Sequence, residues 1–171
     1  MQHSFLAASG SVAKPLIIVT GANAELIKKE LTNPEVILAE NKEWKKGMAS
    51  SIRCGLKALL QVAPSTDAVI LMVCDQPYIN SKLLNDLLAT QVESGWPVVT
   101  SQYENTPGPP ALFHKIIFPE LLALKGEAGA RKIVEKHAHE MGTVSFQKGS
   151  VDIDTKEDYE ALQQADFSEE S

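Results

Sequence analysis

Asp75 follows the apolar run Ala68-Val-Ile-Leu-Met-Val-Cys74 and is followed at once by Gln76-Pro77. Such a run reads as a buried parallel strand, and the proline stops it, so one carboxylate is delivered to the strand's carboxyl end. Ligands of open α/β sheets bind in the crevice beyond those ends, which makes Asp75 a candidate for holding a metal or substrate. A plain alternative is that Asp75 starts a turn or caps the helix expected from about Ser81. A second candidate is Gly47-Met-Ala-Ser-Ser51 ahead of a helical stretch. It would set backbone amides and hydroxyls at a helix N-terminus, a place suited to anionic or polar groups, although Ser50 or Ser51 could equally be an ordinary helix cap.

The elements that must position these groups alternate between strand and helix, the pattern of a largely parallel sheet covered by helices. Leu16–Thr20 predicts a strand, ended by Gly21, and Ala24–Leu31 a helix. Val36–Leu38 predicts a short strand, and Ser50–Leu60 a helix with apolar residues at 52, 56, 59 and 60 along one face. Ala68–Cys74 and a helix from about Ser81 to Glu93 form a third unit, followed by a strand at Pro97–Thr100. Gln102–Pro110, rich in Gly, Pro and polar residues, reads as an irregular loop. Further on come a short strand at Ala111–Phe113, helices at Ile117–Leu124 and Gly129–His139, a strand at Thr143–Phe146 and a last helix at Glu157–Gln164. There is no internal repeat or linker, so 1–171 reads as one domain with 166–171 as a flexible tail.

Composition narrows the class. With 16 Lys+Arg against 22 Asp+Glu, the net charge of −6 disfavours nucleic-acid binding through a basic face. No stretch approaches the roughly 20 apolar residues of a membrane span, and the start lacks a secretory pattern. Cys54 and Cys74, assigned to a helix and a buried strand, have no metal or redox spacing, and they read as reduced structural thiols of a cytoplasmic protein. His114, His137 and His139 lack metal spacing as well.

Several stretches, in order, resemble the MobA-like nucleotidyltransferase family, most closely its molybdenum cofactor cytidylyltransferase branch. They are Val19-Thr-Gly21; Asn41 with Trp44, Gly47-Met-Ala-Ser-Ser51 and Gly55-Leu56; Asp75-Gln-Pro77; Gly108-Pro-Pro-Ala-Leu-Phe113; Gly126-Glu-Ala-Gly-Ala-Arg131; and Asp152-Ile-Asp-Thr155 with Glu157-Asp158. The resemblance implies a Rossmann-like nucleotide-diphospho-sugar transferase fold, a mainly parallel sheet with helices on both faces. It also implies transfer of a nucleoside monophosphate, CMP from CTP sooner than GMP from GTP, onto a phosphate-bearing acceptor such as the molybdopterin cofactor, with Mg²⁺ and release of pyrophosphate.

By the same resemblance Asp75 and Asp154 hold the metal and act in catalysis, Asp152 being the substitute for Asp154. Gly47, Ser50, Ser51 and Gln76 contact the nucleotide, while Gly108, Pro109 and Arg131 contact the acceptor. Helix capping is the plain alternative for Asp154, and a surface ion pair for Arg131. Pro109 stands where the family commonly has His, and Cys74 where a glycine is usual.

The family opens with a strand and a glycine-rich loop, Leu-Ala-Ala-Gly-x-Ser-x-Arg-x-Gly-x-x-Lys, that cradles the triphosphate. Leu6-Ala-Ala-Ser-Gly-Ser11 begins similarly, but no Arg, Gly and Lys follow before Leu16. The chain therefore reads as lacking the first βα unit, with residues 1–13 the remnant of its helix. A central position in the sheet is then vacant, and self-association that fills it is expected. The rival reading is a non-catalytic binding or regulatory module, or an inactive fragment of such an enzyme.

Overall fold

The computed structural model describes residues 2–30, 33, 36–127 and 129–151. Helix α1 (Gln2–Gly10) leads to strand β1 (Leu16–Thr20), helix α2 (Ala24–Glu30) and strand β2 (Val36–Glu40). Helix α3 (Met48–Val62) connects to β3 (Ala68–Leu71), α4 (Ser81–Ser94) and the hairpin β4 (Val98–Tyr103) and β5 (Thr106–His114). Helices α5 (Phe118–Ala123) and α6 (Arg131–Lys136) and strand β6 (Met141–Ser145) complete the described elements, and a 3-10 turn follows at Gln147–Ser150.

The fold is mixed α/β with helices on both faces. Alternation along the strands explains the two-sided core, since successive side chains point to opposite faces. Val98, Ala111 and Phe113 join Leu56, Leu59, Leu121, Ile133 and Val134 on the face covered by α3, α5 and α6. Val99 and Leu112 join Leu83, Leu84, Leu87 and Phe146 on the face covered by α4 and α1. In α1, the small residues Ser4, Ala7 and Ala8, with Ser11 just beyond its end, are buried at helical spacing, which permits close packing on α4. The stretch from Leu6 to Gly10 is thus helix, not a phosphate-cradling loop.

Two strand pairs are parallel, β1 with β2 and β4 with β6. The hairpin adds antiparallel pairs, so the larger sheet, ordered β3-β5-β4-β6, is mixed. This corrects the expectation of an irregular loop at Gln102–Pro110. Glu104 and Asn105 turn the chain with φ of 51° and 62°, a conformation Asn tolerates well. Thr106–Pro110 then pairs back on β4 despite its prolines, and a register shift at Thr100/Ser101 absorbs the irregularity.

Cys74 is also corrected: β3 ends at Leu71, and Cys74 is exposed on the loop beyond it. Leu71 pairs with Ala111, and the next residue along β5 is Pro110, which has no N–H to continue a ladder.

β1 and β2 form a sheet of their own. Among the described residues, β1 pairs only with β2 and β3 only with β5, leaving one edge of each unpaired. Leu16 packs into the same cluster as Ala68 and Ile70, and Ile17 into the same cluster as Val69 and Leu71. The two strands thus share cores on both faces while not being hydrogen-bonded to each other. All of these residues are half-buried, whereas central strands of doubly covered sheets are ordinarily buried.

Candidate active site

The carboxyl edge of the larger sheet gathers Asp75, Gln76, Gly108 and Pro109, whereas Gly47, Ser50 and Ser51 lie at the β2–α3 turn and Arg131 at the start of α6. β3 leaves this edge toward Asp75; antiparallel β5, which starts at Thr106, carries half-buried Gly108 and Pro109 past it, and β6 ends there at Ser145. Gly108 lies against the Tyr103 ring, where a Cβ would meet the phenol oxygen at 2.1 Å. The close approach requires glycine.

Asp75 is half-buried, and its Oδ1 is buried with no hydrogen-bond donor among the described residues. Gln76 is 2% exposed. Its Nε2 donates to the Gly149 carbonyl at 2.8 Å, while its Oε1 is likewise buried and without a donor. Unpartnered buried oxygens are uncommon and call for a physical account. Two oxygens on adjacent residues suit a hard divalent cation, which takes carboxylate and amide oxygens together with substrate phosphates. Among the described residues, no three His, Cys, Asp or Glu side chains cluster as a metal site, so Asp75 would need further oxygens from phosphates or from another carboxylate. Asp152 and Asp154 lie outside the described residues, as does the helix expected at Glu157–Gln164. The Gln76–Gly149 bond nevertheless fixes the chain five residues before Asp154 beside the Asp75 loop.

The β2–α3 turn is held by buried polar groups. Asn41, 4% exposed, donates from Nδ2 to the hydroxyls of Ser50 at 2.8 Å and Ser51 at 3.1 Å, and its Oδ1 accepts from the Glu43 amide at 3.0 Å. Ser50 Oγ in turn donates within this turn, lying 2.8 Å from the Gly47 carbonyl and 3.0 Å from that of Glu43. Ser50 is therefore part of the scaffold of the turn, and Ser51 is half-buried beside it. Gly47 has φ of 92°, and a Cβ there would meet the Glu127 carboxylate at 2.6 to 2.7 Å. The loop carrying Glu127 is tied to this helix start by the bond from the Ala49 amide to the Gly126 carbonyl. Arg131, a few residues further on, is exposed and ion-paired with Glu135 at 2.8 Å.

Replacing Asn41 by alanine removes the donor to the Ser50 and Ser51 oxygens and leaves the Glu43 amide without its acceptor. The expected cost is about 1–3 kcal/mol of folding stability, measurable by urea unfolding; a change below about 0.5 kcal/mol, the range of an ordinary surface substitution, would show that the turn does not depend on Asn41.

A family model, the MobA-like NTP transferase domain, matches residues 1–141. The chain belongs to this family. It is 30% identical over 123 residues to the purine catabolism protein PucB of Bacillus subtilis (strain 168), covering 70% of this chain. That match spans 58% of PucB, so less than two thirds of this relative's length is represented. Rv0371c of Mycobacterium tuberculosis H37Rv, solved in complex with manganese, is similar with a TM-score of 0.75 and 26% identity, covering 95% of this chain and 85% of that one. The 4-diphosphocytidyl-2C-methyl-D-erythritol synthase of Anaerococcus prevotii DSM 20548 shares the fold, with a TM-score of 0.70 at 16% identity over 92% of this chain and 82% of that one.

Asn41 and Glu127 were present in the sequence motifs, but their structural tasks depend on partners that local spacing does not reveal. Gly149 carried no local signal, because it matters through a bond to a residue 73 positions earlier.

Proposed function

We propose that this domain is a nucleotidyltransferase in which a phosphate oxygen of the acceptor attacks the α-phosphorus of a nucleoside triphosphate and pyrophosphate leaves. The observation that carries the reading is the pair of buried, unpartnered oxygens on Asp75 and Gln76 at the carboxyl edge of the sheet. Bringing two phosphates together accumulates negative charge, so catalysis requires positioning and neutralisation more than covalent chemistry. A bound divalent cation, Mg²⁺ or Mn²⁺, supplies that neutralisation. Asp75 supplies a fixed negative oxygen to hold the cation, and Gln76, anchored on Gly149, keeps the Asp75 loop in place. Asp154 is the second carboxylate of this proposal; a chain of five residues spans up to about 17 Å, enough to reach the Asp75 loop from Gly149.

The nucleotide lies along the turn of Gly47, Ser50 and Ser51, with Ser51 the available hydroxyl since Ser50 is occupied by the scaffold. Gly108, Pro109 and Arg131 face the acceptor side. CTP is the favoured donor, in keeping with the sequence resemblance to cytidylyltransferases and with the cytidyl product of the structural relative from Anaerococcus. The acceptor is a phosphate-bearing small molecule of the molybdopterin kind.

The test is pyrophosphate release from CTP or GTP with Mg²⁺ and a molybdopterin acceptor. Acceptor-dependent release, faster with CTP, is the expected result; none with either nucleotide would favour a non-catalytic binding module.

The unpaired edges of β1 and β3 support a second element of the proposal, self-association that fills the sheet position between them. Exposed strand edges template pairing with another chain. Sedimentation is expected to show concentration-dependent association, and a compact monomer at every concentration would contradict it.

A further inference from the structure

Several cations on this acidic chain sit singly against an acid: Lys82 with Asp86, Lys115 with Asp67, Arg131 with Glu135 and Lys136 with Glu120. The junction of α3 and α5 differs. Lys46, just ahead of α3, Arg53 on α3, and Lys125 beyond the end of α5 line one open pocket of about 470 Å³, with Leu122–Leu124 and Gly126 as the apolar and backbone wall. Lys46 and Arg53 come from the turn and the helix that follows it, while Lys125 is brought to them by the fold from a segment more than 70 residues further on.

Arg53 is half-buried, and one of its terminal N–H groups donates to the Leu124 carbonyl. A guanidinium has five N–H donors in a rigid fork, so most of its capacity remains once it is oriented in this way. Neither Arg53 nor Lys125 has an ion-pair partner among the described residues. Lys46 pairs with Glu43, an exposed residue. The Glu43 carboxyl is held below the usual glutamate range first by Lys46, with further pull from Arg53 and Lys57, so one acid answers several cations. The other nearby carboxylate, Glu127, is packed against Gly47.

We propose that Lys46, Arg53 and Lys125 form a binding site for a multiply charged phosphate anion, separate from the Asp75 loop. Arg53 supplies planar, fixed donors, while the two lysines supply mobile point charges, a combination suited to the several oxygens of a polyphosphate. Helix capping would account for Arg53 and the Glu43 pair for Lys46, but neither accounts for Lys125 or for the meeting of all three cations at one pocket. Binding is electrostatic at a largely open surface, so it weakens as salt rises.

The test is titration of the ¹⁵N-labelled full chain with inorganic pyrophosphate in the absence of divalent metal. Saturable amide shifts at Lys46, Arg53, Lys125 and Gly126 are expected. A Lys46→Ala/Lys125→Ala variant leaves the Arg53 contact with Leu124 untouched, and native amide dispersion checks that it is folded. It should raise the apparent Kd about tenfold, while Asp75→Asn leaves it unchanged. The Asp75→Asn arm separates this site from the proposed transfer chemistry, because pyrophosphate binding here requires neither metal nor turnover. Lys82→Ala/Lys132→Ala removes two lysines elsewhere and should have no such effect. Shifts confined to the Asp75 loop, an unchanged Kd in the Lys46/Lys125 variant, an equal loss in the Lys82/Lys132 control, or no saturable binding would each overturn the proposal.

Discussion

Asp75→Asn is expected to lower the rate of pyrophosphate release by at least about 10²–10³-fold while leaving the thermal midpoint nearly unchanged. Asparagine preserves the size of the side chain and one oxygen, but removes the negative charge on which cation binding depends. The carboxylate is poorly compensated in the fold, with Oδ1 buried and undonated among the described residues, so stability has little to lose by its removal. The measurement pairs a release assay with a melting curve. Activity within about twofold of the wild type would remove Asp75 from the chemistry, whereas a large fall in melting temperature would instead assign it a structural task.

The largest expected effect on stability comes from Phe113→Ala. Phe113 is fully buried in β5, between β3 and β4, and faces the cluster formed by α3, α5 and α6. Truncation removes the ring's burial and leaves a cavity among Leu56, Leu59, Ile117 and Leu121, at a cost of about 3–5 kcal/mol. Against a typical domain stability of about 5–15 kcal/mol, such a loss could leave the chain marginally folded. Urea unfolding should show a lower midpoint with an unchanged slope. Leu6→Ala is the control: Leu6 is 59% exposed, and its removal should change stability by no more than about 0.5 kcal/mol. Equal effects at the two positions would contradict the assignment of the core.

Much of this architecture was legible because apolar residues carry the period of each element. Leu16–Thr20 is a β-branched run of the kind that fits a pleated strand, and the apolar residues at 52, 56 and 59 mark the buried side of α3. The hairpin was hidden because Gly108, Pro109 and Pro110 ordinarily break strands, and what holds them here is pairing with β4 and contact with Tyr103, both tertiary. β3 was read three residues too long, since hydrophobicity continues through Cys74 whereas its partner strand reaches Pro110.

At the site, Asp75 announced itself through the apolar run before it. The structural tasks of Ser50 and Gly47 did not, since each depends on a residue brought in by the fold: Asn41 for Ser50, Glu127 for Gly47. Arg131 is ion-paired with Glu135 four residues on, a pairing whose i,i+4 spacing is itself readable in a sequence. Asp154, the partner assigned to Asp75, lies beyond the described residues, and its metal role rests on the proposed chemistry.

Whether the Asp75 loop holds a metal-bound nucleotide is decided by calorimetric titration of the folded chain with CTP and with GTP, each with and without Mg²⁺. Metal-dependent binding is expected, tighter for CTP than for GTP and weakened in Asp75→Asn. Folded protein that binds neither nucleotide in the presence of Mg²⁺, or that binds them identically with and without the metal, would contradict it.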